Sequence, residues 1–562
     1  MKKLSLIFVC LFMLGAGVRA IDVWHPVDRP SWRECDVAGI ARNYYREGMS
    51  LFYPRIDWRG DGPGYVESEF PLFPWLIAAG YKIFGYNEHL GRILSYIFSL
   101  LTLAAFIKFA RHLLPPVGAV AAVIFFAFNP LIINISTTLQ AEGLMFLSYT
   151  LAAYFFLRWV ENNSTQYFVA ACVATALTIL AKVPAAHIGL LFAVLVLTKF
   201  GFSALRQFRL YLFALCALLP AILWYVFAHQ FWTVYGNSLG LSSEYHWAGW
   251  DLFTNPKFII GITRSEVFYV FMPAGIIIAA LGLWLRRTEQ SVRYSVYWLV
   301  SIWLYYLVSA RTLGDQWAAY YHVVSVPPVA ILVGNGVEAI RQIKASAQWT
   351  KRLAIMSGLL AALLGAGAGI LWQKSNALWM LGAAAVFAVT TLMLLTSFVV
   401  RERSENSFSR ASLFQALIIY AGIVSFCGIV LFQARQIIVD LNNPKGAELL
   451  ACAKSFIPLL PKDELVLTTG GDCRDEDGYR LAYNASFMLF WTDHKGFNIC
   501  TEEESLESVA TFARRGAKYY LVAKGALRAK EKFAADLRHS YPLVADCGEY
   551  CLFKLKPNEI RD

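Results

Sequence analysis

Residues 209–229 read RLYLFALCALLPAILWYVFAH, a run that contains no Asp, Glu or Lys. A helix needs about 20 apolar residues to cross the hydrocarbon core of a bilayer, so this run alone predicts a membrane-spanning helix. Similar runs recur along the 562-residue chain, of which 57% is hydrophobic and only 16% is charged. A soluble chain of this length would need more charge to solvate its surface. We therefore predict a polytopic α-helical membrane protein.

About thirteen spans are predicted from the length and hydropathy of these runs. They are residues 4–20, 93–110, 117–134, 140–158, 167–181, 184–200, 209–229, 266–285, 294–310, 320–339, 353–373, 377–400 and 411–434.

The orientation of the spans follows from the basic residues, because short cytoplasmic loops are enriched in Lys and Arg. The short loops on the side of the membrane opposite the N-terminus hold little more than Lys182, Arg311 and Lys374. The net charge of +11 is therefore a topology signal, and binding to nucleic acid is not needed to explain it. This orientation places residues 21–90 and 435–562 outside the cytoplasm. If the N-terminus is cytoplasmic, its side holds Arg111, Arg158, Lys199, Arg206, Arg209, Arg286, Arg287, Arg293, Arg341, Lys344, Lys351, Arg352, Arg401, Arg403 and Arg410.

The N-terminal stretch MKKLSLIFVCLFMLGAGVRA has two interpretations. A basic start, an apolar centre and a small-residue end are typical of a cleavable signal peptide, but they also fit a retained first helix. Arg19, inside the would-be cleavage site, favours the retained helix. The orientation of the other spans is the same in both cases.

Six cysteines lie on the non-cytoplasmic side in this topology, which is oxidising and permits disulfides. A disulfide between Cys547 and Cys551 could close a small hairpin, and one between Cys473 and Cys500 could cross-link a loop. The sequence leaves the pairing open. No CxxC or His/Cys spacing typical of zinc occurs. The six are Cys35, Cys452, Cys473, Cys500, Cys547 and Cys551.

Two domains are predicted: a membrane domain over residues 1–434, which includes the outer loop 21–90, and an extracytoplasmic domain over residues 435–562. The second domain alternates helix-like and strand-like segments, which predicts a small α/β fold with an accessory or docking role. The helix-like segments are 444–456, 501–515 and 526–537, and the strand-like ones are 464–468, 518–523 and 550–554.

The first outer loop is where chemistry is expected. Ser31 and Glu34 form a capping-box pattern, which predicts a helix that runs to about Glu47 and stops at Gly48. Asp36 then lies in the second turn, where Asp is a poor helix former and calls for an explanation. The alternative is a solvated Asp that pairs with a neighbouring Arg33 or Arg42.

A second carboxylate, Glu69, precedes an apolar amphipathic stretch that opens at Pro71 and Pro74 and reaches Gly85. This stretch is too short to span a bilayer and fits a helix in the plane of the interface. Glu69 would lie near the N-terminus of that helix, where the backbone dipole favours a carboxylate. That capping role is the alternative to a catalytic one.

Four segments of this loop, in order, resemble the opening of the GT-C glycosyltransferases. They are WRECDVAGIARNYY (32–45), LFYPRIDWRG (51–60), EFPLFPWL (69–76) and GYNEHLGR (85–92). The similarity is to the bacterial branch related to protein O-mannosyltransferases, aminoarabinose transferases and lipopolysaccharide galacturonosyltransferases. It covers residues 1–200 and continues more thinly through DQWAAYYHVVSVPP (315–328).

This resemblance implies a GT-C fold and a transferase that moves a sugar from a polyprenyl-phosphate carrier to an envelope acceptor. The acceptor would be a glycolipid, a polysaccharide or a protein at the outer face of the cytoplasmic membrane. Asp36 matches the first-loop acidic residue of the family, taken as the general base or as the carboxylate that orients the acceptor. Glu69 falls at a motif in which relatives often carry Lys before the prolines. This sequence has no Lys there, so the role of that lysine in binding the carrier phosphate does not transfer. Glu142 lies where relatives commonly have Asp.

The carrier phosphate needs donors near the membrane surface. Glu142 and Lys182 are ionisable residues at membrane depth, which marks them as functional candidates, although each could instead snorkel to the interface. The candidates to hold the phosphate are Arg92, Lys182, Arg264, Arg311, Tyr320, Tyr321 and His322.

Metal use is left open by the sequence. Asp36, Glu69 and Glu142 could share a divalent ion only if the fold brings them together, and the family contains members with and without metal. The aromatic-rich stretch 230–262 is either part of the acceptor site or an interfacial belt.

Two other functions compete with glycosyl transfer. A transporter or flippase of a lipid-linked sugar would predict charged residues within spans and internal repeats with paired broken helices. The charges instead concentrate in the first outer loop. A structural or assembly factor would leave the ordered motifs of that loop unexplained.

Overall fold

The computed structural model describes residues 2–28, 32–242, 250–308, 311–314, 316–342, 444–476, 478–481 and 487–556. The described helices up to residue 342 are α1 (Lys2–Ala20), α2 (Trp32–Glu47), α3 (Leu72–Phe84), α4 (His89–Leu113), α5 (Pro116–Ala127), α6 (Pro130–Ile135), α7 (Glu142–Asn162), α8 (Thr165–Ala181), α9 (Ile188–Phe200), α10 (Phe208–Tyr235), α11 (Trp250–Thr254), α12 (Pro256–Ser265), α13 (Pro273–Leu285), α14 (Gln290–Val308) and α15 (Val326–Gln342).

Five helical segments among the described residues are long and apolar enough to cross a membrane, and a bent pair, Pro256–Phe271 with Gly275–Leu285, would make a sixth. The predicted spans 353–373, 377–400 and 411–434 lie outside the described residues, so the count of thirteen is not confirmed. The five segments are His89–Leu113, Glu142–Asn162, Val183–Arg206, Phe208–Tyr235 and Ala318–Arg341.

Four predicted spans are interrupted rather than single α-helices; one of them, 184–200, begins as the 3-10 helix Val183–His187 ahead of α9. The span 117–134 breaks at Asn129, whose side chain accepts a hydrogen bond from the Leu131 amide at 3.0 Å. The span 266–285 breaks at Met272, which adopts a positive φ of 54°. A proline follows each break, at Pro130 and Pro273, and proline cannot donate the backbone hydrogen bond that would continue the preceding helix. The span 320–339 begins as a 3-10 helix, Gln316–Ser325, ahead of α15.

Both helices predicted in the first outer loop are confirmed. α2 ends at Glu47, and Gly48 then adopts a φ of +124°; α3 ends at Phe84 before Gly85 at +80°. The two helices pack against each other through a buried cluster, so α2 is held on α3. The cluster consists of Val37, Ala41, Phe73, Ile77 and Tyr81.

The C-terminal segment forms a five-stranded mixed sheet with helices on both faces. The strands are β1 (Leu465–Thr469), β2 (Gly496–Ile499), β3 (Ala517–Ala523), β4 (Leu543–Asp546) and β5 (Tyr550–Lys554), in the spatial order β2-β1-β3-β5-β4. β1 is parallel to β2 and β3, whereas β5 is antiparallel to β3 and β4. The helices are α16 (Pro444–Phe456), α17 (Phe487–Thr492), α18 (Leu506–Arg514), α19 (Lys524–Ala529) and α20 (Glu531–Ser540).

The predicted strand segments fall on β1, β3 and β5, whereas β2 and β4 were not predicted. One disulfide joins Cys473 and Cys500, as the spacing allowed. The disulfide suggested between Cys547 and Cys551 is wrong, although the hairpin is present: Cys547 pairs with Cys452 on α16, and Cys551 is a buried free thiol. The error arises because α16 packs beside the β4–β5 hairpin, which sequence spacing does not reveal.

The C-terminal domain is joined to the first outer loop by ion pairs at Asp493. Its carboxylate lies 2.8 Å from Arg42 and 2.7 Å from Arg46, both on α2. Partial burial by itself raises the pKa of Asp493, but the hydrogen bond from Arg46 and the charges of Arg42 and His494 outweigh it, and the net shift is downward.

The lowered pKa of Asp493 predicts an acid-sensitive contact. A carboxyl group whose pKa is depressed by folding stabilises the folded state above its unfolded pKa of about 3.9 and loses this contribution as the pH falls through the folded value. We expect Asp493→Asn to lower the melting temperature at pH 5–7, with a difference from wild type that shrinks below about pH 4. Thermal melts of both proteins across this range measure the difference. A difference that stays constant with pH would contradict the assignment.

Candidate active site

The loop of residues 21–90 and the ends of two apolar helices meet at one place. Glu142 begins α7 and Lys182 follows the last residue of α8. The loop reaches them through a backbone hydrogen bond of 3.0 Å from the Phe70 amide to the Leu180 carbonyl. This contact brings Glu69, which precedes Phe70 in the chain, to the end of α8.

Lys182 is the centre of a buried charged cluster. Its ammonium group pairs with the Glu142 carboxylate, and both side chains are at most about 6% exposed. The same nitrogen lies 4.9 Å from the ring centre of Tyr320 and 4.1 Å from that of Tyr321, within the range of cation–π attraction. The structure therefore brings together four of the residues singled out from the sequence. Burial excludes simple snorkelling of Lys182 to the water, because its charge is held inside the protein.

Glu69 joins this cluster through Arg33, in the first turn of α2. The Arg33 Nη1 atom lies 3.2 Å from Glu69 Oε2. Burial by itself lowers the pKa of Arg33, but the acidic groups of Glu69, Tyr320, Tyr321 and Glu142 raise it, and the net shift is upward. Glu142, Tyr320 and Tyr321 also contact Lys182, so the two cations have these neighbours in common, and we call Arg33 and Lys182 the cationic centre.

Asp36 lies one turn after Arg33 on the same face of α2, since residues three apart are neighbours on a helix. It is only 6% exposed, which contradicts the solvated alternative. Its Oδ1 accepts a hydrogen bond of 2.9 Å from the indole N–H of Trp58. Its helix neighbours Ile40 and Asn43 are also buried. Asp36 is therefore a buried, oriented carboxylate next to the cationic centre.

Sequence reasoning did not identify Arg33 or Trp58 as site residues. A signal was available for both: Arg33 precedes Asp36 by one helical turn, and Trp58 lies within the ordered motif 51–60. The contact between Trp58 and Asp36 joins residues 22 positions apart, and no periodicity in the sequence predicts it.

Other predicted phosphate ligands have different surroundings. Arg92 is fully buried and donates to the carbonyl oxygens of His25, Pro26 and Thr137 at 2.8–3.0 Å. This arrangement uses each guanidinium nitrogen and argues for a structural role. His322 is also fully buried, between the Glu266 carboxylate at 2.8 Å and the Leu313 carbonyl at 3.0 Å.

Arg264 is in α12, and Arg311 opens the 3-10 helix Arg311–Gly314. The side chain of Arg311 lies outside the described residues. Neither residue can be assigned to the cationic centre from its position.

A metal shared by Asp36, Glu69 and Glu142 does not fit these contacts. Glu69 and Glu142 each face a cation, and Asp36 accepts from an indole. Across the described ranges, the one group of three possible ligands with closely spaced donor atoms is Cys473, Cys500 and Glu502, and the two cysteines form a disulfide.

Comparisons with known proteins found similarities in family and in fold. Residues 64–226 match the family model described as dolichyl-phosphate-mannose-protein mannosyltransferase. The crystal structure of ArnT from Cupriavidus metallidurans bound to undecaprenyl phosphate is similar over 98% of this chain and 97% of that chain, with a TM-score of 0.57 and 16% identity. The apo form of the same protein gives a TM-score of 0.56, 15% identity and coverage of 99% and 98%. A comparison with curated proteins found no match.

Proposed function

We propose that this chain, which has the fold of the GT-C glycosyltransferase superfamily, transfers a sugar from a polyprenyl-phosphate carrier to an envelope acceptor at the outer face of the cytoplasmic membrane. The observation that carries the proposal is the buried centre of Lys182 and Arg33 at the outer ends of apolar helices, next to the oriented carboxylate of Asp36. The similar structure of ArnT holds undecaprenyl phosphate, a lipid of the proposed carrier class.

The cationic centre suits a lipid phosphate. The tail of the carrier remains in the bilayer, so its phosphate is presented at the depth where α7 begins and α8 ends. Lys182 and Arg33 supply positive charge there, and the phenol groups of Tyr320 and Tyr321 supply hydrogen-bond donors. Glu142 and Glu69 hold the two cations in place before the carrier binds.

The proposed reaction needs one base and one stabilised leaving group. The acceptor hydroxyl oxygen attacks the anomeric carbon of the sugar while its proton moves to the Asp36 carboxylate. The bond between the anomeric carbon and the phosphate oxygen breaks, and its electron pair stays on the phosphate. Lys182 and Arg33 stabilise the charge that develops there. The products are the glycosylated acceptor and free polyprenyl phosphate.

Mass spectrometry of envelope glycans and lipids tests the proposal. Cells that carry the protein are expected to contain a sugar-modified species that matched cells without the gene lack. Its mass difference identifies the sugar, hexose or pentose, and its fragmentation identifies the acceptor. Identical envelopes from cells grown under conditions in which the protein is present in the membrane would refute the transfer activity.

A further inference from the structure

The catalytic helix of the proposed mechanism is fastened to the C-terminal domain. On α2, six residues after Asp36, the buried Arg42 donates to Asp57 Oδ2 at 2.7 Å and to the Phe490 carbonyl at 3.0 Å. Phe490 belongs to α17, so one guanidinium links the helix, the loop that follows it and the C-terminal domain. Its pair with Asp493 adds a second link to that domain.

The loop that carries Trp58 is fastened to the same domain by its backbone. The Gly496 amide donates to the Asp57 carbonyl at 3.0 Å, and the Gly60 amide donates to the Gly496 carbonyl at 2.5 Å. Gly60 has a φ of +61°, and a Cβ there would lie 2.2 Å from the Phe497 ring, so the close approach requires glycine. Trp58 itself packs against the hydrophobic cluster that contains Trp491.

The conformation of Asp493 is consistent with a role in this contact. Asp493 follows α17 with a φ of 58°, a left-handed conformation that is uncommon for residues other than glycine. Such a conformation is unfavourable by itself and persists where surrounding contacts fix it. Here the side chain is fixed by Arg42 and by Arg46, which donates to both carboxylate oxygens at 2.7 and 3.0 Å.

We infer that the C-terminal domain completes the active site, with Asp493 and Trp58 as positioning residues that fix Asp36. Asp493 holds α2 through two arginines, and Trp58 holds the Asp36 carboxylate through its indole N–H. The role of both residues in transfer rests on the proposed function, whereas the effect of Asp493 on the order of α2 does not. The domain is thus a working part of the enzyme rather than an accessory.

Two variants test the inference. Asp493→Asn removes only the charge, because Asn tolerates the left-handed conformation as well as Asp does. We expect hydrogen exchange in residues 32–47 to become faster by about 10-fold and transfer to fall by roughly 10- to 100-fold. Trp58→Phe keeps the packing and removes the donor, so transfer is expected to fall while exchange in α2 stays near wild type. Transfer is read as the modified envelope species in cells.

Matched controls are available in the same chain. The control for Asp493→Asn is Asp536→Asn, which makes the same chemical change on an exposed face of α20. The control for Trp58→Phe is Trp303→Phe, which removes an indole N–H on α14. Wild-type exchange and transfer in Asp493→Asn would overturn the inference, as would wild-type transfer in Trp58→Phe. If Asp493→Asn does not fold, as judged by gel filtration in detergent, the transfer measured for Trp58→Phe decides whether the inference stands. If no protein, wild type included, modifies the envelope, the proposed function fails, and exchange in residues 32–47 alone decides whether the domain orders α2.

Discussion

Asp36→Asn is expected to reduce sugar transfer by at least about 100-fold while the protein still inserts and folds, because a general base contributes roughly 10²- to 10⁴-fold to a rate. The amide has the shape of the carboxylate, and its oxygen can still accept the hydrogen bond from Trp58. It cannot take a proton from an acceptor hydroxyl. The change therefore removes the chemistry of Asp36 and preserves its contacts.

The amount of modified envelope species in complemented cells, corrected for the amount of protein in the membrane, measures this effect. Asp463→Asn is the matched control, since Asp463 is exposed on the surface of the C-terminal domain, ahead of β1. The control is expected to transfer within about 3-fold of wild type, as surface substitutions away from a site have small effects. Full activity in Asp36→Asn would remove this residue from the mechanism.

The sequence predicted those parts of the structure that depend on local pattern. Hydropathy located α4, α7, α8, α10 and α14 to within six residues at each end but did not predict α12, and glycine placed the ends of α2 and α3 at Gly48 and Gly85. The breaks at Asn129 and Met272 were not predicted, because an apolar run looks the same whether or not its helix is continuous. Proline after each break was the local signal that could have located them.

The candidate site depended on contacts between segments that are distant in the chain. Pairing of Glu142 with Lys182 joins residues 40 positions apart, and pairing of Arg33 with Glu69 joins residues 36 apart. The sequence marked Glu142 and Lys182 as candidates because charge at membrane depth is costly, and it marked Glu69 because this residue precedes the amphipathic stretch of the first outer loop. It could not show that each carboxylate faces a cation, which is the observation that favours the proposed phosphate site over a metal site.

Removal of the Lys182 charge is expected to weaken carrier binding by at least about 10-fold, since a charge-assisted hydrogen bond contributes roughly 1.5–3 kcal/mol. The single variant Lys182→Met would leave Glu142 as an unpaired buried carboxylate. Breaking a buried pair in this way costs about 3–5 kcal/mol of stability. A loss of binding in the single variant could therefore be a loss of folded protein.

The double variant Lys182→Met with Glu142→Gln separates the two effects. It removes both charges together, so most of the stability is expected to return, because a buried pair replaced by neutral residues of similar size is often tolerated. Binding of undecaprenyl phosphate, measured on purified protein in detergent by native mass spectrometry, is expected to stay weak. Lys462→Met, on the exposed surface of the C-terminal domain, is the control and should bind as wild type does. A double variant that is folded and binds undecaprenyl phosphate with wild-type affinity would show that Lys182 does not hold the carrier phosphate. The site would then have to be sought around Arg33.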